Sequence, residues 1–586
     1  MLSRRTLGWV LVALASLGLA AAVSLPLGGE GALRRLRGRD IQAESGRRIL
    51  GNLLAVAGAG GAGAALLVLS AGLLLCRRPE GAARPLPREV SAAGPRVAPA
   101  AWLVVAVLLV GSAVAAGILA RRSFNYDEIL AMSLDVKAPL ARSFRPHGVF
   151  ANHYTGALLA RAGVAVGGDS ELTARAGSVV VALAGIALTC AAGAWWGGRW
   201  AALVWPALFL GGHAFVLASA ASIRGYAPLM TGCVVVAVAA ALACDPRWPA
   251  APRRARVGVV ALAAVAALAL GLSHLFGLLY LGALTLLLHA YAWTGWRALG
   301  PADGGDRAAL RALAAVLSLA VAISFLAWTP ALPWLFYNAG GTTTPALLHR
   351  VPAELSALFA GGENLFAGAA AAAFLFAATL WAAWAVPPLR LAAVAATVPL
   401  LALVAAAFLY RPTFLFARFF APVLPLAALC AAAALGRWQA RRPGPWLPAA
   451  VFAATAAVVA PGTVALFRES NGIREGVARS AALLREHGDE RSRLVFLGDE
   501  ESDGVVSYYA PPELRLWVTS REEWDARRAA GVTDLLVLIG TEPDALPHLP
   551  PDWQDHARPL PPIPTGARQS ELRLWLIGDP RPDLGP

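Results

Sequence analysis

The sequence predicts an α-helical polytopic membrane protein that ends in a small α/β domain. Of its 586 residues, 58% are hydrophobic and only 15% are charged. A soluble protein of this size could not bury that much apolar surface. Apolar runs of about 20 residues, the length of a helix that crosses a hydrocarbon core, recur as far as residue 467 and then stop.

About thirteen membrane spans are expected from these runs, with ends uncertain by a few residues. They divide the chain into three parts. Residues 1–100 form an accessory hairpin with a cytoplasmic basic loop, 101–467 form the transmembrane core, and 468–586 form the C-terminal domain. The expected spans are 7–23, 50–75, 102–120, 174–194, 200–219, 226–244, 257–272, 274–293, 310–329, 366–386, 390–409, 417–436 and 447–467.

The arginines of the core predict its orientation, because loops on the cytoplasmic side carry an excess of Lys and Arg. If the large loop 121–173 lies outside, alternate loops should be basic and inside. They are basic throughout the core, and the same alternation places the C-terminal domain outside. The net charge of +14 is therefore a topology signal, and no nucleic acid is expected as a partner. The inside arginines are Arg199, Arg247, Arg253, Arg254, Arg256, Arg297, Arg307, Arg311, Arg390, Arg437, Arg441 and Arg442.

The first residues break this rule. Residues 24–49 should lie outside, yet they carry six arginines, which suits a basic helix lying along the membrane interface. Residues 1–23 are either a retained span or a cleaved signal peptide, since two arginines precede an apolar run that ends in small residues. Both alternatives leave the later topology unchanged.

The C-terminal domain is predicted from four short runs rich in Leu, Val and Trp, the pattern of buried strands. They lie at 493–498, 514–518, 534–540 and 571–578. The five cysteines of the chain lie in or beside apolar spans and form no CxxC pair, so neither a zinc site nor a disulfide framework is indicated.

Two adjacent carboxylates, Asp127 and Glu128, follow the span 102–120 directly. A carboxylate at the membrane boundary can accept a proton from a hydroxyl group, which is the work of a general base. Acidic residues also favour the first turn of a helix, so both residues could simply cap a helix that begins near Ile129. The spacing alone leaves these two alternatives open.

Outer arginines near these carboxylates are candidates for binding an anion. Arg224 precedes Tyr226 in a short outer loop, where the positive-inside bias disfavours arginine. Arg418 lies among aromatic residues at a later outer boundary. A guanidinium group can hold a phosphate through two parallel hydrogen bonds.

Three further residues are candidates for binding substrate. His274 lies at the outer end of a span, where an ionisable residue is functional by default, although a hydrogen bond to a neighbouring helix would also explain it. His153 lies in the large outer loop, where a lone histidine is usually just exposed. Arg175 opens the span 174–194, where snorkelling to the headgroups is the alternative.

The order of these motifs resembles that of the bacterial GT-C membrane glycosyltransferases related to protein O-mannosyltransferases and aminoarabinose transferases, a family 39-like group. An Asp-Glu pair opens a large outer loop, an Asn-His pair follows, and a Gly-Gly-Asp-Ser-Glu-Leu-Thr-Ala-Arg segment enters the next span. Arg-Gly-Tyr comes two spans later and Arg-Phe-Phe-Ala-Pro late in the core. These motifs lie at 127–128, 152–153, 167–175, 224–226 and 418–422.

The resemblance implies a membrane glycosyltransferase of the bacterial cytoplasmic membrane, with its active site on the outer face. Its donor would be a polyprenyl-phosphate sugar, and its acceptor a hydroxyl group of an envelope glycan, lipid or protein. Transfer would proceed with inversion. Asp127 would be the catalytic base, Arg224 and Arg418 would hold the lipid phosphate, and Glu128 and His274 would shape the site.

Two features of the family leave details open. Some relatives bind a divalent metal near the site while others need none, and Glu128 and His274 are the residues that could contribute ligands here. Many relatives carry His-Pro-Pro in the first outer loop, where this chain has Asn-His-Tyr at 152–154. The departure weakens any transfer of sugar specificity from the family to this chain.

The main alternative is a transporter or flippase of lipid-linked sugars. Such proteins usually show repeated halves, broken helices and charges near the membrane midplane. The sequence shows no internal repeat, and its ionisable residues gather at one face. A scaffold protein that works through its C-terminal domain would leave the outer arginines unexplained.

Overall fold

A computed structural model describes most of the core and parts of the C-terminal region. The expected spans 7–23 and 50–75, the accessory hairpin and Arg418 lie outside the described residues. The described ranges are 97–140, 153–294, 307–328, 351–362, 364–397, 420–442 and 444–468, followed by 474, 477–478, 481–482, 493–496, 508–509, 515–517, 535–540, 557–564 and 571–578.

Fourteen α-helices with assigned bounds make up the described core, in two groups. The first seven are α1 Pro99–Leu119, α2 Tyr126–Ala131, α3 Tyr154–Gly167, α4 Glu171–Gly197, α5 Trp200–Gly211, α6 Ala214–Ala220 and α7 Tyr226–Cys244. The others are α8 Arg253–Ser273, α9 Leu275–Thr294, α10 Arg307–Trp328, α11 Val351–Ala360, α12 Leu365–Ala385, α13 Val423–Arg441 and α14 Trp446–Arg468. A π-helical turn, Met132–Val136, continues α2, and residues 390–397 are also helical.

Eight of the described helices are long and apolar enough to cross a membrane. They are α1, α4, α7, α8, α10, α12, α13 and α14, and each coincides with a span expected from the sequence. Helix α9 covers the expected span 274–293, while only the first eight residues of 390–409 are described. The prediction of a polytopic helical membrane protein is confirmed.

The expected span 200–219 is not one straight helix. Helices α5 and α6 meet at an angle of 69° across Gly212 and His213. The His213 Nδ1 accepts a hydrogen bond from the Phe215 amide at 3.2 Å, which caps α6. The Thr463 hydroxyl donates to the Gly212 carbonyl, so α14 supports the break from the side.

Small residues bring the core helices close together. Gly197 on α4 and Gly436 on α13 face each other so closely that a Cβ atom on Gly436 would lie 2.8 Å from the Gly197 backbone. Such contacts are typical of membrane helices, which associate by close packing rather than by the hydrophobic effect. Helices α7 and α13 lie at the centre of the bundle and are buried along most of their length.

The C-terminal region contains a mixed five-stranded sheet with the order β2-β1-β3-β5-β4. Strand β1 pairs in parallel with β2 and β3, whereas β5 pairs antiparallel with β3 and β4. Four strands lie where the sequence predicted them. Strand β4 was missed, because its four prolines disfavour a strand assignment; as an edge strand it tolerates them. The strands are β1 Arg493–Phe496, β2 Arg515–Trp517, β3 Leu535–Gly540, β4 Ala557–Pro564 and β5 Glu571–Gly578.

Candidate functional site

The Asp-Glu pair lies in the first turn of α2, which six residues separate from the end of α1. Asn125 is the N-cap residue: its side-chain oxygen accepts from the Glu128 amide at 3.0 Å, and the Glu128 carboxylate accepts from the Asn125 amide at 3.2 Å. This reciprocal pair is a capping box. The capping alternative for Glu128 is therefore present in the structure, with Asn125 as the cap itself.

Glu128 also forms a buried ion pair with Arg175 of α4. The Arg175 Nε lies 3.0 Å from one carboxylate oxygen and a terminal nitrogen lies 2.5 Å from the other. Only 2% of Glu128 and 3% of Arg175 is exposed. A charge buried this deeply persists because its partner and further hydrogen bonds compensate for lost hydration.

Arg175 holds the chain between α1 and α2 as well. Its guanidinium group donates to the carbonyl oxygens of Ala120, Arg122 and Ser123 at 3.0, 2.5 and 3.2 Å, and it lies 4.8 Å from the Phe124 ring centroid. Its side chain thus points into the protein rather than to lipid headgroups. The segment that leads to the Asp-Glu pair wraps around this one guanidinium group.

Glu128 connects α2 to a second segment, the turn before α7. One of its oxygens accepts from the Ile223 amide at 3.1 Å. Two glycines let this turn sit close to its neighbours: a Cβ atom on Gly156 would lie 2.2 Å from the Ile223 carbonyl oxygen, and one on Gly225 would lie 2.3 Å from the Ser273 carbonyl oxygen. The turn that carries Arg224 is therefore fixed from three sides.

Asp127 and Arg224 meet at the centre of this arrangement. A terminal nitrogen of Arg224 lies 2.6 Å from a carboxylate oxygen of Asp127. The Asp127 side chain is 36% exposed and that of Arg224 is 12% exposed. Unlike Glu128, Asp127 combines a cationic partner with access to the surroundings, so a bound molecule can reach its carboxylate.

His153 orients Arg224 from the other side. Its Nδ1 lies 2.9 Å from the Ser273 carbonyl oxygen, which can only accept, so this nitrogen carries the proton. The Nε2 is then the acceptor for the Arg224 Nε at 3.3 Å. His153 is only 3% exposed. The neutral imidazole thus positions the guanidinium group and adds no charge of its own.

Three aromatic rings, those of His153, Tyr226 and His274, form a contiguous cluster beside Arg224. Their ring centroids lie 5.1–6.0 Å apart, and the Arg224 guanidinium carbon lies 5.7 Å from the Tyr226 ring centroid. His274 is the single non-helical residue between α8 and α9. Its Nδ1 accepts a hydrogen bond from the Phe276 amide at 3.1 Å. Within the described residues, the buried Tyr226 hydroxyl has no hydrogen-bond partner.

The metal ligands considered from the sequence can be compared with the described part of the site. Among the described residues no group of three or more His, Cys, Asp or Glu side chains lies close enough to hold a metal ion. The two residues considered as ligands are already engaged, since Glu128 is neutralised by Arg175 and the His274 Nδ1 accepts an amide.

The candidate residues gather at one end of the helix bundle. They lie at the N-terminal ends of α2, α3, α4 and α7 and at the C-terminal end of α8. Six of the predicted residues form direct contacts centred on Arg224 or Glu128: Glu128 pairs with Arg175, and Arg224 contacts Asp127, His153 and Tyr226. A boundary site with one accessible carboxylate and one oriented guanidinium group can accept a proton and bind a phosphate next to each other.

Some residues of the site were missed by the sequence analysis. The Asn-x-x-Glu spacing of 125–128 is a capping-box signal that could have identified Asn125. The backbone groups of Ile223 and Ser273 carry no sequence signal, because any residue supplies the same amide or carbonyl. Gly156 also carries no sequence signal, since its role depends on a contact between distant parts of the chain.

Comparisons with known proteins support the fold. No protein-family model and no curated protein matches the chain. Among solved structures it is similar to two crystal structures of ArnT from Cupriavidus metallidurans, a GT-C aminoarabinose transferase, one in the apo state and one bound to undecaprenyl phosphate. The apo structure is 16% identical to this protein with a TM-score of 0.49, and the match covers 82% of this protein and 98% of the ArnT chain. The structure bound to undecaprenyl phosphate is 17% identical with a TM-score of 0.50, and the match covers 83% of this protein and 100% of the ArnT chain. The chain therefore has a GT-C-like fold, that of the ArnT structure with undecaprenyl phosphate.

Proposed function

We propose that this protein transfers a sugar from a polyprenyl-phosphate donor to a hydroxyl acceptor at the outer face of the bacterial cytoplasmic membrane. The observation that carries the proposal is the contact between the accessible Asp127 carboxylate and Arg224 at 2.6 Å. The similar ArnT structure contains undecaprenyl phosphate, and this supports a lipid of the same class as the donor.

In the proposed reaction, Asp127 removes the proton from the acceptor hydroxyl. The acceptor oxygen attacks the anomeric carbon from the face opposite the phosphate, and the bond between that carbon and the phosphate oxygen breaks. The polyprenyl phosphate leaves with the bonding electrons, and Arg224 stabilises its charge. The configuration at the anomeric carbon is inverted.

The two carboxylates divide the work in this mechanism. Glu128 has its oxygens occupied by Arg175 and two backbone amides, so we assign it a positioning role together with Arg175. His153 orients Arg224. The Tyr226 hydroxyl is a ready hydrogen-bond donor to the phosphate or the sugar. His274 completes the wall of the site.

The test uses the native host without this protein, complemented with wild type, Asp127→Asn or Arg224→Ala. Polyprenyl-phosphate sugars and envelope glycans are profiled by mass spectrometry. We expect both variants to accumulate one lipid-phosphate sugar and to lose one glycan, as the deletion does. The turnover of each variant should fall by about 10²–10³-fold.

Two matched controls separate the site from general effects of charge. Asp169→Asn changes another carboxylate of the same outer loop, 51% exposed and paired with Lys137. Arg254→Ala changes an exposed arginine at the opposite ends of the helices. Both should restore the wild-type profile. A wild-type profile from Asp127→Asn would instead remove Asp127 from the reaction.

The transporter alternative has one structural feature in its favour, the 69° break between α5 and α6. Broken helices often form the binding sites of transporters. Purified protein in detergent micelles distinguishes the two functions, since transport requires two compartments and transfer does not. Release of polyprenyl phosphate from a detergent-solubilised envelope extract of the host, which supplies donor and acceptor together, is expected only of a transferase.

A further inference from the structure

Two described segments of the C-terminal region contact the chain just before Asp127. The Arg474 amide donates to the Ser123 hydroxyl oxygen at 3.1 Å. The Phe124 amide donates to the Tyr509 hydroxyl oxygen at 2.6 Å. Ser123 and Phe124 are the last residues before the N-cap of α2. The C-terminal region therefore binds the backbone amide three residues ahead of the proposed base and the Ser123 side chain four residues ahead of it.

The Tyr509 hydroxyl is held on both sides. It accepts the Phe124 amide and donates to a Glu171 carboxylate oxygen at 3.3 Å. Burial, with the negative charge of Glu171 adding to it, raises the pKa of the Tyr509 phenol well above its usual value. The hydroxyl thus keeps its proton and remains a donor at every pH of interest.

Glu171 joins this contact to the helix that carries Arg175. It lies in the first turn of α4, is 7% exposed, and pairs with the Arg474 guanidinium group at 2.9 Å. Arg474, Tyr509 and Glu171 form what we call the clamp. The clamp ties the C-terminal region to α4 and to the segment before α2 at the same place.

Helix α2 needs such support. It has only six residues before its π-helical continuation, and a helix this short has little stability of its own. Arg175 holds carbonyl groups of the segment before α2, and Glu128 caps the first turn of the helix. Among the described contacts, however, the Phe124 amide is held only by Tyr509. A shift of about 1 Å in a reacting group can slow a reaction by roughly 10²-fold.

We propose that the clamp positions Asp127, with Tyr509 as the positioning residue through which the C-terminal region sets the geometry of the base. This inference rests on the proposed function, since it assigns Asp127 as the group that is positioned. It gives the C-terminal region a role in catalysis although none of its described residues contacts Asp127 or Arg224.

The test compares Tyr509→Phe with Tyr508→Phe in the full-length protein. Both variants remove one hydroxyl from adjacent tyrosines, but among the described residues the partner of the Tyr508 hydroxyl is the exposed Lys137, which donates to it at 3.1 Å. The substrate probe is a detergent-solubilised envelope extract of the deletion host, which supplies donor and acceptor together, and release of polyprenyl phosphate is measured per folded molecule. Tyr509→Phe should lower kcat by about tenfold or more, while Tyr508→Phe stays within about twofold of wild type.

The amount of extract that gives half-maximal turnover shows whether Tyr509 positions the base or contributes to donor binding. Arg224 is held by Glu128, through Ile223, and by His153, so the donor should bind Tyr509→Phe as it binds wild type. A variant that is merely less stable would give less folded protein with an unchanged kcat per molecule, and that result would overturn the proposal.

A double-variant cycle shows whether Tyr509 acts through Asp127. In the Asp127→Asn background, Tyr509→Phe should change the residual rate by less than about twofold, because the group it positions is gone. An equal loss in both backgrounds would overturn the clamp. The proposed function has a contradicting result of its own, which is wild-type turnover in Asp127→Asn. The clamp proposal would then also be wrong, because it rests on Asp127 as the base.

Glu171→Gln keeps the test decisive if Tyr509→Phe does not fold. This variant preserves the shape of the side chain but removes the charge that binds Arg474 and Tyr509. It should lower kcat in the same way, with the half-saturating amount of extract unchanged. Wild-type turnover in Glu171→Gln would overturn the proposal without touching the assignment of Asp127.

Discussion

Adjacent residues of nearly identical chemistry have separate environments in this protein. Asp127 and Glu128 each carry a carboxylate, yet Glu128 is buried against Arg175 while Asp127 faces Arg224 and remains 36% exposed. The sequence could not distinguish them, because the deciding partners lie 47 and 97 residues away along the chain. The sequence did predict that the functional site includes this pair, and that remains a prediction.

This difference predicts losses of stability that differ in size. Glu128→Gln leaves the Arg175 charge buried without a counter-charge, which typically costs about 3–5 kcal/mol. Asp127→Asn changes a partly exposed pair and should cost less than about 1 kcal/mol. Thermal unfolding in detergent, followed by loss of monodisperse protein, measures both. Equal melting temperatures for the two variants would contradict the assignment of Glu128 as a structural carboxylate.

The double variant Glu128→Gln with Arg175→Gln provides the control. Removing both charges together leaves no isolated buried ion, so it should recover part of the stability lost in Glu128→Gln alone. A double variant less stable than the sum of its two single variants would argue against a direct ion pair.

At the scale of elements, hydropathy predicted the long membrane spans, but it did not predict the short helix α3, the break between α5 and α6 or the strand β4. The long spans follow from apolar length alone, because every backbone group in a membrane must be bonded within its helix. Helix α3 was absorbed into the outer loop 121–173 because its 14 residues are too short to span. The break at Gly212–His213 and the proline-rich strand β4 were missed because tertiary neighbours decide them.

Gly156 offers a test of how α3 supports the site. A Cβ atom at this position would lie 2.2 Å from the Ile223 carbonyl oxygen and 2.9 Å from the Gly225 amide nitrogen. Gly156→Ala must therefore displace the turn that carries Arg224, and we expect turnover to fall by about tenfold or more. Gly117→Ala is the matched control, since a Cβ atom on that helical glycine meets nothing within 4 Å. Wild-type turnover in Gly156→Ala would show that the turn is not fixed by α3.

The whole molecule combines a helical bundle with a sheet-containing C-terminal region, as the composition of the two parts predicted. Orientation was inferred from the arginine distribution alone, and it remains a prediction. The chain contains a single lysine, Lys137, whose side chain is 42% exposed beside Asp169. This residue is a natural reporter of the side on which the candidate site lies.

Membrane-impermeant amine reagents should modify Lys137 in intact spheroplasts as fully as after permeabilisation. Peptide mapping by mass spectrometry separates this label from that on the chain's amino terminus, and Lys137→Arg should lose it. Labelling only after permeabilisation would place the candidate site on the cytoplasmic side and reverse the predicted orientation.

The clamp also determines when the site can be completed during synthesis. Ser123 and Arg474 are 351 residues apart, and Phe124 and Tyr509 are 385 residues apart. At a translation rate of ~5–20 residues per second, Asp127 leaves the ribosome roughly 20–80 s before Tyr509 does. A nascent or truncated chain would carry every core residue of the site and still lack its final geometry. Full catalytic activity would thus be confined to molecules whose synthesis has passed Tyr509.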